Sequence, residues 1–331
     1  MRASRRSAGA AIVLTLVLAA AVSNAIAVNP PARQFTGYVY APPMPIRFVD
    51  DDGNLQWPFV YPLKLESRLA RTFVEERERP MRLRAFAGGR LVSVGDDRSP
   101  WFPLGTDALG RDVFARLVAG ARLSLGVAFA SAAGALLIGA LAGAIAGFVG
   151  GFLDDVLMRI ADFIVALPAV YVVLALRAAA PLVLTAAEIF TIMVVVFALV
   201  GWPFAARGVR AVIAAERRRE YAEAARSIGA SGTRLLLRHL LPAARGFLIA
   251  QATLLLPAFI LAEATLSFAG LGFGEPTASW GVMLQEAGRG RALADAPWLL
   301  APAGAIALLV FGVTLLTGTH PSVRVISDGS R

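Results

Sequence analysis

Apolar residues gather in six long runs, separated by polar stretches of very unequal length. The first run, residues 8–22, follows Arg2, Arg5 and Arg6 and closes at Ser23-Asn24-Ala25-Ile26-Ala27. About 20 residues of low polarity suffice to cross a bilayer, and the same pattern ending Ala25-x-Ala27 also fits a secretory signal peptide. Either reading puts residue 29 outside. Runs at 121–149, 160–176, 189–206, 247–268 and 298–316 predict five further spans. Within the first of these, Gly139, Gly143 and Gly147 share one helical face, and small residues there let another helix approach closely in lipid. That helix is expected among other helices rather than against lipid. Residues 150–159 are expected to form a short cytoplasmic turn, and 177–188 a short outer turn holding Arg177, Pro181 and Glu188. Trp202 is expected at interface depth, just before a basic stop at Arg207.

The polar stretches carry the remaining information. Residues 29–119 form the longest, with Ala41-Pro42-Pro43-Met44-Pro45, the triplet Asp50-Asp51-Asp52 before Gly53, and mixed charge over 66–84. A loop of this length can be translocated despite its arginines, because the positive-inside rule governs short loops. It predicts a small extracytoplasmic subdomain with short strands near 57–61 and 83–94. The acidic triplet has Ca²⁺-ligand chemistry, but before a glycine it reads as a solvated turn.

The second polar stretch, 216–242, is a basic insert between two apolar runs. Helix formers fill 216–228, Gly229-Ala230-Ser231-Gly232 breaks the run, and helix formers resume from Thr233 until Pro242. Two short helices joined by a bend make a rigid knob. Arg207, Arg210, Arg217, Arg218, Arg219, Arg226, Arg234, Arg238 and Arg245 cluster near the flanking span ends, which places the knob in the cytoplasm. An amphipathic helix on anionic lipid accounts for the arginines, but not for the glycine break or the small Ala224-Ala225 face.

Composition narrows the class. With 57% hydrophobic and 17% charged residues over 331 positions, the chain is an integral membrane protein. The net charge of +9 sits beside apolar runs without aromatic-interleaved basic patches, so it reports topology and no nucleic-acid partner. Cysteine is absent, which removes disulfides, thiolate nucleophiles and cysteine-ligated metals. Lys64 is the single lysine, so no Gly-x-x-x-x-Gly-Lys-Ser/Thr phosphate loop exists. A protein of this kind driven by ATP must borrow its nucleotide site from another chain.

Glu223-Ala224-Ala225, then Gly229, then Leu241-Pro242 resembles the E-A-A-x-x-x-G loop of permease subunits in ATP-binding-cassette importers. The longer string from Glu220-Tyr221 to His239-Leu240-Leu241-Pro242 is most similar to the dipeptide and oligopeptide (peptide/nickel) permeases, of the second, C-type subunit. Ala243 replaces their usual Asn. Pro103-Leu104-Gly105-Thr106-Asp107-Ala108-Leu109-Gly110-Arg111-Asp112 resembles a segment preceding the core of those permeases. Here Thr106 or Asp107 is expected to cap a short helix carrying Arg111 and Asp112. Asp155, Met158, Arg159 and Asp162 also match a family pattern, with Asp162 expected either in the pathway or tethered by Arg159. Glu263 through Gly272 resembles E-x-x-L-S-F-L-G-L-G with Ala269 at the usual Leu, and Pro276 through Leu284, with Ser279-Trp280-Gly281, resembles the family's S-W-G-x-M-L stretch, which implies a segment returning into the outer vestibule. The tail Gly318-Thr319-His320-Pro321 departs from the family ending.

The resemblance implies an all-α membrane protein of six transmembrane helices, the type I importer permease fold, with an extracytoplasmic insert after the first helix. It divides the chain into a first helix at 1–28, which related permeases retain, and an insert with a pre-core amphipathic segment at 29–119. The permease core follows at 120–317, with a cytoplasmic coupling loop at 207–246, and then a cytoplasmic tail at 318–331. Both termini fall inside a multi-pass inner-membrane protein. Glu220, Tyr221, Glu223, Ala224, Ala225, Gly229, Ala230, Ser231, Leu241 and Pro242 are the implied ATPase-coupling residues. Asp162, Glu263, Ser267 and Trp280 are implied pathway or structural residues. The implied partners are a homologous second permease, two cytoplasmic ATPases, an extracytoplasmic solute-binding protein and the bilayer; no catalytic residue, metal or cofactor is expected. Peptides are the expected substrate, with nickel or another small solute as the alternative. A rival class, a Mg²⁺-dependent prenyl transferase, rests on Asp154-Asp155 with Asp162, but it lacks the second aspartate cluster that such chemistry needs. A scaffold subunit without transport partners is the third reading.

Overall fold

The computed structural model describes residues 2–51, 53–67, 71–86, 90–94, 100–168, 171–172, 175, 184–289 and 295–317. Helix α1 (Arg2–Ala21) and the turn α2 (Ser23–Ile26) open the chain. Strands β1 (Arg47–Val49), β2 (Leu55–Val60), β3 (Leu63–Ser67), β4 (Thr72–Glu75), β5 (Met81–Ala85) and β6 (Val92–Val94) follow. Then come α3 (Val113–Val149), α4 (Gly151–Ala166), α5 (Ala186–Glu216), α6 (Glu220–Ser227), α7 (Gly232–Leu235), α8 (Arg245–Phe268), α9 (Trp280–Ala287) and α10 (Ala301–Thr317). Among the described residues, four stretches are long and apolar enough to cross a membrane: Val113–Val149, Ala186–Glu216, Arg245–Phe268 and Pro297–Leu316. α1 covers the first apolar run and α4 the start of the third. Residues 169–170, 173–174 and 176–183, which hold the expected end of that run and most of the turn with Arg177 and Pro181, lie outside the described residues. So does the tail from Gly318.

α3 is the axis of the helical part. Its N-cap is Asp112, whose Oδ1 accepts from the backbone N–H of Phe114 at 2.9 Å and of Ala115 at 3.2 Å. Residues 105–111 therefore form a turn where a short capped helix was expected, and α3 starts eight residues before the apolar run. The Asp107 carboxylate is spent elsewhere, accepting from the backbone of Leu109 and Arg111 at 2.9 Å each. Its 37 residues rise about 55 Å, well beyond the ~30 Å of a hydrocarbon core. The glycine stripe seats this rod on α5. A Cβ on Gly139 would lie 2.7 Å from the carbonyl oxygen of Trp202, one on Gly147 2.6 Å from that of Arg210, and one on Gly143 inside the backbone of Ala206. Trp202 packs with Ala161 and Ala206 and is buried on the α4–α5 contact.

The turn expected at 150–159 is shorter than that. Gly150 and Gly151, at φ +72° and +61°, use the left-handed backbone that glycine adopts freely, and the chain is helical from Gly151 onward. Asp154 falls in the first turn of α4, where the helix dipole favours a carboxylate. Thr185 and Glu188 form a capping box that starts α5, so Glu188 belongs to a helix rather than to the preceding loop. α1 packs along α10 where two glycines meet: a Cβ on Gly9 would stand 2.6 Å from the carbonyl oxygen of Gly312.

Residues 28–102 build a separate small core. β1-β2-β5-β6 form an antiparallel sheet, and β3-β4 a hairpin. Met81 and Leu83 are buried while Arg82 and Arg84 are exposed, the period of two of a sheet with one wet face. Val28, Ala41, Met44, Val60, Leu63, Trp101 and Phe102 complete that core. Asp50 sits in the β1–β2 turn, its carboxylate accepting from the Asn54 backbone and the Gln56 amide at 2.7 Å each.

Candidate functional site

The insert between α5 and α8 is a platform with a core of its own. Ala222 of α6 and Leu235 and Leu240 beyond the bend are fully buried against Ala144 of α3 and Val209 and Ile213 of α5. α6 carries Glu220 and Glu223 in its first turn and Arg226 in its last, each matched to the helix dipole. Its end is closed by two bonds, Gly229 N–H to the Arg226 carbonyl at 2.9 Å and Ala230 N–H to the Ala225 carbonyl at 3.0 Å. Gly229 takes φ +86° there, which is the Schellman closure that a glycine at this position permits. Ser231 then caps α7, its hydroxyl accepting from the Arg234 N–H. A π-helical turn, Leu236–Leu240, and a last turn, Leu241–Ala243, return the chain to α8.

What the platform leaves outside is chemically mixed. Glu220, Tyr221, Glu223, Ala224, Ser231 and Pro242 are exposed, Ala225, Ala230 and Leu241 are half-buried, and Ile228 stands 86% exposed on the bend. The Tyr221 hydroxyl donates to Glu216 at 2.8 Å; burial, and then this carboxylate, raise the phenol above its ordinary value. The platform is fastened to the end of α3 through Phe148. Arg217 donates to the Phe148 carbonyl and lies over its ring, 5.7 Å from guanidinium carbon to centroid, and a Cβ on Gly232 would sit 3.3 Å from the same ring.

Glu263, Ser267 and Trp280 come together at the junction of α3, α8 and α9. Glu263 is fully buried; its Oε1 accepts from the Ser267 hydroxyl at 2.9 Å, and Ser267 in turn accepts from the Phe273 N–H at 3.1 Å. The hydroxyls of Ser124 and Ser279 also face this carboxyl, while Oε2 makes no hydrogen bond of normal geometry among the described residues. Trp280 fixes α9 to α3, its indole N–H donating to the Leu117 carbonyl at 3.0 Å and its backbone N–H to Ser124 at 3.2 Å. Asp162 lies apart from this junction. It pairs with Arg207 of α5 at 2.6 Å, both side chains exposed, in place of the expected Arg159. Asp154 likewise pairs with Arg210, at 2.6 Å. Two of the three aspartates behind the transferase reading, Asp154 and Asp162, thus tie α4 to α5.

A third cluster was not assembled from the sequence. At the end of α3 nearest the β subdomain, Arg111 and Arg116 are buried among three carboxylates. Arg111 Nε donates to Asp107 at 2.6 Å, and its terminal nitrogens reach Glu275 at 3.0 Å and Glu286 at 3.2 Å. Arg116 donates to Glu275 at 3.1 Å, and Glu286 accepts from the Ala108 N–H at 3.0 Å. Burial, followed by the Asp107 carboxylate, lifts Glu286 above the usual carboxylate range. Partial burial also opposes the charge of Glu275, but hydrogen bonds and charges of Arg111 and Arg116 outweigh it and hold Glu275 below that range. Next to the cluster, burial pushes Asp112 up to about 6, against hydrogen bonds from Asn29, Ala115 and Phe114 that favour its charge.

Residues 135–319 match the family described as binding-protein-dependent transport system inner membrane component. The chain belongs to this family. The matched region holds the platform, Glu263, Ser267 and Trp280, and most of the membrane helices of this inner membrane component, and leaves the β subdomain and the first part of α3 outside. The chain is 41% identical over 232 residues to the oligopeptide transport system permease protein OppC of Bacillus subtilis, covering 70% of each chain. It is 41% identical over 217 residues to the dipeptide transport system permease protein DppC of the same organism, 65% of each chain. It is 35% identical over 222 residues to OppC of Salmonella typhimurium, 67% of this chain and 71% of the relative.

Proposed function

We propose that this inner membrane component is the C-type permease subunit of an ATP-binding-cassette importer that moves di- and oligopeptides into the cell. The observation that carries the reading is α6: a short helix closed at its C-terminal end by the Gly229 turn, anchored by Ala222, and presenting Glu220, Tyr221, Glu223 and Ala224 outward. A helix that is rigid yet displays small and acidic residues suits the groove of a partner protein. The partners in this reading are two cytoplasmic ATPases under the platform, a homologous second permease in the membrane and an extracytoplasmic solute-binding protein. ATP hydrolysis falls to the ATPases. Their closure would push α6, and the seat of the platform on α3 and α5 would carry that push into the membrane helices as a rigid-body movement. The oligopeptide and dipeptide names of the relatives support peptides as the substrate.

In this reading α1 and the α4 run join the four long apolar stretches to make six crossings, with both termini inside. Retention of residues 1–28 is supported by the Gly9–Gly312 approach, which gives α1 a seat on α10. The test is a pull-down of the solubilised chain, wild type beside Glu223→Arg. The wild type is expected to bring down a nucleotide-binding subunit and the variant to lose it while still inserting. Equal recovery from both would overturn the docking role of α6. Uptake of labelled di- to hexapeptides that is unchanged after deletion of the chain would remove the substrate assignment.

A further inference from the structure

α9 is held at both ends. Its first turn is bonded to α3 through Trp280, Leu117 and Ser124. Its last turn carries Glu286, which reaches Arg111 and the Ala108 backbone. The loop before it carries Glu275, which accepts from both Arg111 and Arg116. Of the five charged side chains gathered here, Asp107, Arg111 and Arg116 are buried and Glu286 nearly so, whereas Glu275 is 37% exposed. Three carboxylates face two guanidinium groups, and Arg116 leaves Nε and Nη1 without a hydrogen bond among the described residues. A buried arginine in that condition holds its place only while its carboxylates stay. The cluster is therefore tight but conditional, and Glu275 is the member that outside water can reach.

We propose that Glu275 is the strike of an outer latch, pinned by Arg111 and Arg116, which positions α9 over the head of α3 and couples closure of the outer mouth to the platform. The coupling is geometric. α3 runs unbroken from its Asp112 cap to Val149, and at its far end Phe148 is gripped by Arg217 and packed beside Gly232. One rod thus joins the latch to the two segments that flank α6. A push on α6 moves the head of α3 against α9, and the Glu275 pairs either transmit it or break. This rests on the importer reading, and it gives Glu275 a positioning role rather than contact with peptide.

The absence of cysteine permits a direct test. Nitroxides on Leu109→Cys and Arg289→Cys, one on each side of the latch, report its closure by pulsed spin-resonance distances in the solubilised chain. Wild type is expected to give a narrow distribution, and Glu275→Gln one broadened or lengthened by about 5 Å, roughly a helical turn. In the transporter reconstituted with its ATPases, Glu275→Gln is expected to keep ATPase association. It should raise ATP turnover without binding protein about threefold and lower peptide uptake about fivefold or more, with Glu275→Asp restoring most of the loss. An unchanged distance distribution overturns the latch, and so do uptake and turnover that both stay near wild type. Turnover and uptake falling together with Glu275→Asp giving no rescue would mark a merely structural residue and overturn it equally. If Glu275→Gln fails to accumulate, Glu286→Gln is read in the same way. If no ATPase binds the wild type, the importer reading fails, and the distance measurement still decides the latch.

Discussion

The two ends of α3 carry similar residue types and use them in opposite ways. At the platform, Glu220, Glu223 and Arg226 stand in solvent around a small apolar core, and the charges serve helix dipoles and a surface. At the other end, Asp107, Arg111, Arg116 and Glu286 are taken out of water and face one another. An exposed charge costs little to change and reports on partners. A buried one is expensive to unpair and reports on the fold. The difference teaches that the chain invites contact at one end and constrains its own helices at the other.

The largest effect is expected from Arg111→Ala. It leaves Asp107, Glu275 and Glu286 short of their shared cation, and breaking one side of a buried ion network costs about 3–5 kcal/mol. Thermal unfolding of the purified chain should show a sharply lowered midpoint, or the variant should fail to accumulate. A midpoint equal to that of wild type would mean that the cluster is not the constraint described. At the platform, Gly229→Val forces a branched side chain into φ +86°, at about 1–2 kcal/mol. Much of that penalty should appear as lost ATPase association with insertion preserved, which a pull-down beside a membrane-fraction assay separates.

Much of the helical layout and the platform was legible because their signals are local. Apolar runs announce α3, α5, α8 and α10, and the Gly229 break needs only neighbouring residues to close α6. The glycine stripe of α3 was legible as a contact face, although its partner, the Trp202–Arg210 stretch of α5, was not. Failures came where polar residues had two uses. Asp107 looks like the cap of a helix carrying Asp112; only the fold shows that Asp107 closes a turn while Asp112 itself starts α3. Asp154 and Arg159 made 150–159 look like a loop, because an aspartate paired to Arg210 on another helix looks unpaired in sequence. The latch was illegible for the same reason, since Arg111 and Glu275 are 164 positions apart.

The pH response sharpens the buried end further. Burial raises Asp112 from 3.8 to about 6 in the folded chain, so the folded state holds its proton more tightly than the unfolded one. The stability this gives is complete below pH 3.8 and is lost as pH rises through 6. Between pH 5 and 7 the loss amounts to about 1 kcal/mol. Wild type should therefore show a falling unfolding midpoint across that window, with part of the fall absent from Asp112→Asn. A parallel decline in both would assign it to other groups, Glu286 among them.

The smallest effect is expected at Asp162, and its smallness is informative. Asp162 and Arg207 form a short ion pair, yet the side chains are 67% and 43% exposed, and pairs in that setting contribute up to about 1 kcal/mol and often nothing measurable. Asp162→Asn should leave the unfolding midpoint, ATPase association and uptake near wild type, while Asp154→Asn, whose partner Arg210 meets a carboxylate only 14% exposed, should cost more. A large uptake defect in Asp162→Asn with an unchanged midpoint would move this aspartate from the surface seam of α4 and α5 into the transport pathway. It would also show that exposure in the isolated chain is not exposure in the assembled transporter.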